Sequence, residues 1–428
     1  MAVKLKSFTI ANFGPFAEKT TFSTVAETSK KELLDENTFI VGDYRYNRVS
    51  YIYGFNGVGK SNFCKALLQV QNIIIMSPLV SSPNLQLMEH PFLKNYYSID
   101  QNCFKFDKTY EDKSTYFQIE IVLNGIVYTY TFELQQNKII KERLTKKYRR
   151  TEILIERTSP KYEDITLRSE FKGFEDNIKV VKENALCLSM AAFLNEPLAL
   201  ELKDAIMSIK VVNMAAINNL STIEERMLSD DKLQQYLQVL KFADPTLNNI
   251  KVSYNEKKVE HQRLNIPDFE NREIVIRNVE VDVTSSHNRV NEFNEIESID
   301  LPFLQVESNG TIKLFGILPV IFNALEQGGV VIIDEIDNGL HPAILSVLVD
   351  LFAKSNNVND AQLICSSHNI DLIKNNVRRD QIWIISKDNK GKSSISRVSD
   401  IPGIRAYESN GEKYLEKAFG SIPHALFS

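Results

Sequence analysis

The hydrophobic positions change period several times along the chain. Residues 4–22 alternate apolar and polar side chains (Leu5, Phe8, Ile10, then Phe13, Phe16, Phe22) around Gly14-Pro15, the pattern of an antiparallel hairpin at a sheet edge. Residues 24–48 are polar and charged and predict a surface loop with a short helix. The β-rich run Val49–Tyr53 precedes Asn62–Ile75, where Phe63, Ala66, Leu67, Val70 and Ile74 recur at helical spacing. Beyond a proline- and serine-bearing loop over 77–92, period-two runs return at Tyr116–Leu123 and Ile126–Leu134. Asn124-Gly125 joins these runs, which predicts a hairpin. Further strand-like runs at 139–144 and 152–156 complete an antiparallel lobe. Residues 184–202 and 221–242 switch to helical spacing, and 243–300 is mixed, with strand-like runs at 273–277 and 279–283. A helix-like run, Ile312–Leu325, then leads to Val330–Ile333, four apolar residues in a row as in a parallel strand buried on both faces. A helix over 343–353, a strand over 362–365 and a last strand over 381–386 precede a polar tail. No heptad pattern persists beyond a few turns, so a long coiled coil is not expected. The class predicted is α/β, with an antiparallel lobe and a helical insertion.

Composition narrows the class. The 428 residues are 43% apolar and 25% charged, as in ordinary soluble globular proteins. A net charge of −5 argues against a surface wholly given to nucleic acid, while a local basic groove stays open. Four scattered cysteines (Cys64, Cys103, Cys187, Cys365) form no CxxC pair and read as reduced thiols. The start carries lysines without an apolar segment behind them, which does not suit a signal peptide. The longest apolar stretch, Phe315–Leu325, contains Pro319 and is too short to span a bilayer. A soluble cytoplasmic protein with no membrane contact is expected.

Candidate chemistry sits at the ends of the predicted strands. Gly54-Phe-Asn-Gly-Val-Gly-Lys-Ser61 has the GxxxxGK[ST] spacing between a strand and a helix, the context in which that motif cradles phosphates. Its glycines let backbone N–H groups converge on phosphate oxygens, and the helix N-terminus adds partial positive charge. Gly54, Asn56, Gly57, Gly59, Lys60, Ser61 and Asn62 are the residues expected around the phosphates. Lys60 can reach the β- and γ-phosphates, and Ser61 can offer its hydroxyl to Mg²⁺. The strand Val330–Ile333 ends on Asp334 and Glu335, where open α/β sheets place their ligands. One carboxylate can hold a metal ion while its neighbour faces a water. Ser308-Asn-Gly-Thr311 at a helix start suits either an anion site or an ordinary helix cap. His368 follows the strand 362–365 and lies at the same sheet end as Lys60 if the strands are parallel. Lys146–Arg150 reads as a solvated charged turn.

Gly54–Ser61 is a Walker A motif and Val330–Glu335 a Walker B. Ser308–Thr311 looks like a shortened ABC signature, Asp337 like the D-loop aspartate and His368 like the switch histidine. In this order the set resembles the ABC-class ATPases that include the SMC proteins, RecF and the OLD nucleases. Phe8–Phe13, Ala243-Asp244, Glu307–Thr311, Asp334–Pro342, Arg379–Trp383 and Tyr414–Pro423 further resemble the stand-alone ATPases of bacterial phage-defence and abortive-infection systems. That group includes RloA, AbiLi and the ATPase of the PARIS system.

The resemblance implies an ABC-type head built from 1–160 (Walker A and antiparallel lobe) and 301–428 (signature, Walker B, D-loop, switch histidine), with 161–300 as an insertion. It implies paired heads that sandwich ATP, with Lys60, Ser61 and Asp334 binding ATP–Mg²⁺ within one chain. Ser308 and Gly310 would reach the γ-phosphate from the other chain, near Asp337. Glu335 would activate water and His368 would sense the γ-phosphate. Gln71, Gln86 and Gln101 are the candidates for a Q-loop. The two-glycine transporter signature is absent. The group's members imply a homo-oligomer of head dimers, a hexamer. They also imply an effector encoded nearby, a TOPRIM-like nuclease, and a phage-encoded trigger, because the chain stops at Ser428 where nuclease-fused members continue. The same motifs allow an alternative, a RecF- or SMC-like DNA-repair or clamp ATPase that contacts DNA.

Overall fold

The apolar runs assemble into two sheets that share one long helix. The computed structural model describes residues 2–80, 102–217, 229–264 and 272–402. In its first half the main elements are β1 (Val3–Ala11), β2 (Thr20–Ser23), β3 (Thr38–Val41), β4 (Tyr44–Asn47), β5 (Val49–Tyr53), α1 (Lys60–Val80), β6 (Thr115–Leu123), β7 (Ile126–Gln135), β8 (Lys138–Lys147), β9 (Thr151–Arg157) and β10 (Ile165–Leu167). The remainder contributes α2 (Cys187–Phe193), α3 (Pro197–Ser208), β11 (Lys210–Asn213), α4 (Asp230–Ala243), β12 (Leu247–Leu264), β13 (Arg272–Val290) and β14 (Ile296–Pro302). Then follow α5 (Asn309–Gln327), β15 (Val330–Asp334), α6 (Pro342–Asp350), β16 (Gln362–Ser366), β17 (Ile382–Lys387) and β18 (Ser393–Arg397).

The central sheet has the order β11-β15-β16-β5-β17-β18. Its first five strands are parallel, and β18 closes the edge antiparallel to β17. Successive residues of β15 alternate between two cores. Val330 and Ile332 join the cluster under the antiparallel lobe, while Val331 and Ile333 join the one beneath α5. Burial on both faces is why this strand is apolar throughout rather than alternating. Each such side chain removed from water contributes about 1.5–3 kcal/mol.

The second sheet, β10-β9-β8-β7-β6-β1-β2, is antiparallel throughout. It packs on α1, whose Phe63, Ala66, Leu67, Val70 and Ile74 join Phe8, Phe22, Phe117 and Ile119 in one core. Thus α1 lies between the two sheets, and its N-terminus points from the end of β5. A third sheet, β12-β13-β14, carries a hairpin of 18- and 19-residue strands. The α/β class, the mixed sheet with flanking helices and the antiparallel lobe agree with expectation. Among the described residues no helix is long and apolar enough to cross a membrane.

Several local expectations need correction. The first hairpin is not wholly at an edge, because β1 pairs with both β2 and β6. The polar stretch 24–48 contains the β3–β4 hairpin, in which Tyr46 is fully buried against Phe39. The helical run 184–202 is split into α2 and α3 by Asn195, whose φ is +66°, and Pro197 at the start of α3. The run 243–300 forms long, continuous strands rather than short mixed pieces. The tail after β17 contributes β18. The stretch Tyr414–Pro423, Gln86, and residues 221–228 of the expected helix over 221–242 lie outside the described residues, as does Gln101.

Candidate functional site

Parallel strands bring their carboxyl ends to one side of the central sheet. There β11 ends on Asn213, β15 on Asp334, β16 on Ser366 and β5 on Tyr53. Register places Asn213 opposite Asp334 and Ser366 opposite Ile52. Because β16 lies between β5 and β15, the segment after it, with His368, is interposed between the glycine-rich loop and the carboxylate pair.

The loop Gly54–Gly59 is shaped by its glycines. Gly54 has φ +156°, and a Cβ there would collide with the Ile385 carbonyl. Gly59 has φ +113°, and a Cβ there would lie 2.7 Å from Pro15 of the Gly14–Phe16 turn. The loop is braced from outside: Ser393 Oγ donates to Val58 O at 2.6 Å, and Ser393 N donates to Pro15 O at 2.8 Å. Asn62 lies beside Gly14, and Asn56 and Gly57 stay exposed at the rim. Lys60 is 6% exposed, and its Nζ donates to Gly54 O at 2.8 Å and Phe55 O at 3.3 Å. Burial lowers the Lys60 pKa, while the carboxylates of Asp334, Asp337 and Glu335 oppose that shift.

The carboxylate end is held by groups the motif reading did not single out. Asp334 is buried; its Oδ1 accepts from Ser366 Oγ at 2.6 Å and its Oδ2 from Asn213 Nδ2 at 3.1 Å. The same Ser366 Oγ accepts from Glu335 N at 2.8 Å. Glu335 turns out of the strand with φ +55°, a left-handed conformation that costs a non-glycine residue about 1–3 kcal/mol. Asn338 fixes it further, through N to Glu335 O at 2.8 Å and Nδ2 to Glu335 Oε2 at 3.0 Å. Asp337 Oδ2 accepts from His368 N at 2.9 Å, while Asp337 Oδ1 is buried with no hydrogen-bond partner among the described residues. His368 is exposed as a residue; partial desolvation first, and Lys60 second, lower its pKa.

Ser308 caps the N-terminus of α5, accepting from Thr311 N at 3.1 Å. A Cβ at Gly310 would lie 2.9 Å from Gly339 O, so this segment abuts the turn after Asp337. His341 caps α6 through Nδ1, which accepts from Ala343 N at 3.2 Å. Gln71 does not reach the sheet end: its amide donates to Ile206 O and Ile209 O at 2.8 and 2.7 Å, bracing α1 against the end of α3. Sequence reasoning missed Ser366, Asn213 and Asn338. Their only local signal is a short polar side chain at, or just after, a predicted strand end. All four cysteines are buried and free, and burial pushes the Cys64 and Cys365 thiols well up, which leaves them unsuited to nucleophilic roles.

This donor set suits a polyphosphate with a hard cation. The glycines let the loop run against Ile385 O and Pro15, where a Cβ at Gly54 or Gly59 would collide. The Ser61 hydroxyl and the Asp334 carboxylate are oxygen donors of the kind Mg²⁺ takes alongside phosphate oxygens and water. Asp337 Oδ1, buried and without a hydrogen-bond partner among the described residues, is a further oxygen acceptor at this end of the sheet.

A domain model described as "AAA domain, putative AbiEii toxin, Type IV TA system" matches residues 49–177 and 230–374, more than half of the chain. The matched segments contain Gly54–Ser61, Ser308–Thr311, Asp334–Asp337 and His368. No curated protein matches. The solved structures similar over most of their length include two SMC heads. One is the SMC head domain from Thermotoga maritima, with 14% identity, a TM-score of 0.39 and coverage of 92% of this chain and 99% of that one. The other is an SMC head bound to the C-winged helix domain of ScpA, with 12% identity, a TM-score of 0.41 and coverage of 92% and 96%.

Proposed function

The chain belongs to the AAA-domain family described as putative AbiEii toxin, Type IV TA system; from that membership we propose that it is an ATP-hydrolysing switch that assembles and holds a separate toxic effector. The observation that supports this reading is the convergence at one sheet end of a buried P-loop lysine and a left-handed Glu335 tied through Ser366 to Asp334.

In this reading ATP is the substrate, and Lys60 leaves the Gly54 and Phe55 carbonyls to donate to its β- and γ-phosphate oxygens. Ser61 and Asp334 would hold Mg²⁺, which would offset the charge that develops on the transferred phosphoryl group. Glu335 takes the proton of the attacking water, and its strained backbone and Asn338 keep the carboxylate aimed. Phosphoryl transfer to water needs charge stabilisation and one positioned water, and no covalent nucleophile. Asp337 links that event to His368 through the hydrogen bond to the His368 backbone, so His368 reports the presence of the γ-phosphate. Ser308 and Gly310 act on the nucleotide of a second chain, so ATP joins two heads and its loss releases them.

Paired heads build a larger homo-oligomer of the type implied by the resemblance to the PARIS-system ATPase, with the effector, a TOPRIM-like nuclease, encoded nearby and freed by a phage-encoded trigger. The resemblance of the C-terminal stretch Tyr414–Pro423 to the defence ATPases supports this finer assignment. Binding of a fluorescent ATP analogue to the parent and to Lys60→Ala tests the nucleotide site. The parent binds in a Mg²⁺-dependent way and Lys60→Ala loses most affinity; equal binding overturns the assignment. Co-purification with the product of the neighbouring gene tests the switch, and no association in either nucleotide state rejects the effector role.

A further inference from the structure

Asp244 and Glu307, in two stretches singled out in the sequence (Ala243-Asp244 and Glu307–Thr311), have no part in the chemistry above. They are joined by a chain of side-chain hydrogen bonds. Asp244 follows the last residue of α4, and its Oδ1 accepts from Thr246 N at 2.9 Å and Thr246 Oγ1 at 2.7 Å. Thr246 Oγ1 lies 3.2 Å from His287 Nδ1, and His287 Nε2 lies 2.7 Å from Glu307 Oε1. The Glu307 side chain is only 3% exposed and His287 16%. Thr246 has one hydroxyl proton, and Asp244 takes it. The imidazole then joins the two halves of the chain, with Nδ1 facing Thr246 and Nε2 facing the Glu307 carboxylate, which accepts from it.

His287 also sits at a junction. It lies on β13, opposite Leu247 of β12 and Ile299 of β14. It therefore stands at the base of the long β12–β13 hairpin, where the third strand joins. Glu307 immediately precedes Ser308, the cap of α5, and its backbone N donates to Phe303 O at 3.0 Å. A buried carboxylate left without its partner costs far more than a surface one. Displacing His287 therefore displaces Glu307 and the residue bonded next to it.

We infer that His287 is a positioning residue for the signature segment: the Asp244–Thr246–His287–Glu307 chain sets the pose of Ser308 and Gly310 and couples it to the β12–β13 hairpin. This rests on the reading that Ser308 acts on a second chain's nucleotide. The coupling gives a partner that moves the hairpin a route to head pairing without touching Lys60 or Glu335.

The test measures ATP-driven self-association of the full chain by sedimentation, beside the affinity of the isolated chain for a fluorescent ATP analogue. His287→Ala should raise the ATP concentration needed for association about ten-fold while leaving nucleotide affinity within about two-fold. Combining it with Ser308→Ala should add little to Ser308→Ala alone, and His287→Gln, which can again donate to Glu307, should recover most of the association. Parent-like association of His287→Ala, or full additivity with Ser308→Ala, overturns the inference. If Ser308→Ala itself associates like the parent, the signature reading falls and takes this inference with it; if only His287→Ala is silent, the inference alone falls. Should His287→Ala not fold, Glu307→Gln, which keeps the shape and removes the charge, decides in its place by the same criteria.

Discussion

Replacing Ser366 by alanine removes one hydroxyl that serves both carboxylate-bearing residues. Its Oγ donates to Asp334 Oδ1 at 2.6 Å and accepts from Glu335 N at 2.8 Å, in a position 1% exposed. A hydrogen bond to a charged group contributes about 1.5–3 kcal/mol, and a buried N–H left unpaired costs about 1–3 kcal/mol. Asp334 keeps Asn213, so the lower part of each range applies and the loss comes to about 3 kcal/mol. At about 2.1 cal/mol/K of unfolding entropy per residue, 428 residues give roughly 1 °C per kcal/mol, so the melting temperature should drop by about 3 °C. The lost energy is comparable to the strain of about 1–3 kcal/mol held at Glu335, so the turn relaxes and the carboxylate drifts. A displacement of about 1 Å at a catalytic group costs on the order of 10² in rate. Ser366→Ala should therefore lower kcat about 10²-fold and change ATP affinity only a few-fold, since Lys60 hangs from its own loop. Ser366→Thr, which keeps the hydroxyl, should retain more turnover. Phosphate release, nucleotide titration and thermal unfolding on the three proteins check this. An unchanged kcat and melting temperature in Ser366→Ala would refute the reasoning.

Two further outcomes follow from buried charge. Arg378 and Asp380 form a bidentate pair with side chains 1% and 0% exposed, and Arg378 also donates to the Glu27, Lys30 and Glu32 carbonyls. Arg378→Ala leaves Asp380 uncompensated at a cost of about 3–5 kcal/mol, so the melting temperature should fall by roughly 3–5 °C, with turnover per folded molecule at low temperature kept. The pH dependence of stability reports His368. Its pKa is lowered in the fold, so the unfolded chain binds that proton more readily. This histidine has no effect well above pH about 6.5 and lowers stability as the pH falls through that value. Urea midpoints between about pH 5 and 7 should therefore decline less steeply in His368→Gln than in the parent; identical slopes remove His368 as a source of the dependence.

The parallel strands were legible because two-sided burial leaves an unbroken apolar run, as in Val330–Ile333. The glycine-rich loop was legible because its backbone needs φ values that side chains disfavour. What escaped was set by long-range pairing. The strand β18 (Ser-Ser-Ile-Ser-Arg) carries a single apolar residue, because it pairs only with β17 at the sheet edge. The β3–β4 hairpin hid in a charged stretch because its buried face needs only Phe39 and Tyr46. Ser366 and Asn213 act by meeting Asp334 across neighbouring strands, 32 and 121 residues apart in sequence, which no local pattern encodes. Gln71 shows the converse: a residue with the right chemistry was taken by the helix contacts of α1 and α3.

The most direct test of the central claim is steady-state phosphate release by the parent and Glu335→Gln, with ATP affinity measured in parallel. The parent should hydrolyse ATP, and the variant should lose about 10²–10⁴-fold in turnover while keeping its affinity. Equal turnover in the two proteins would contradict the account.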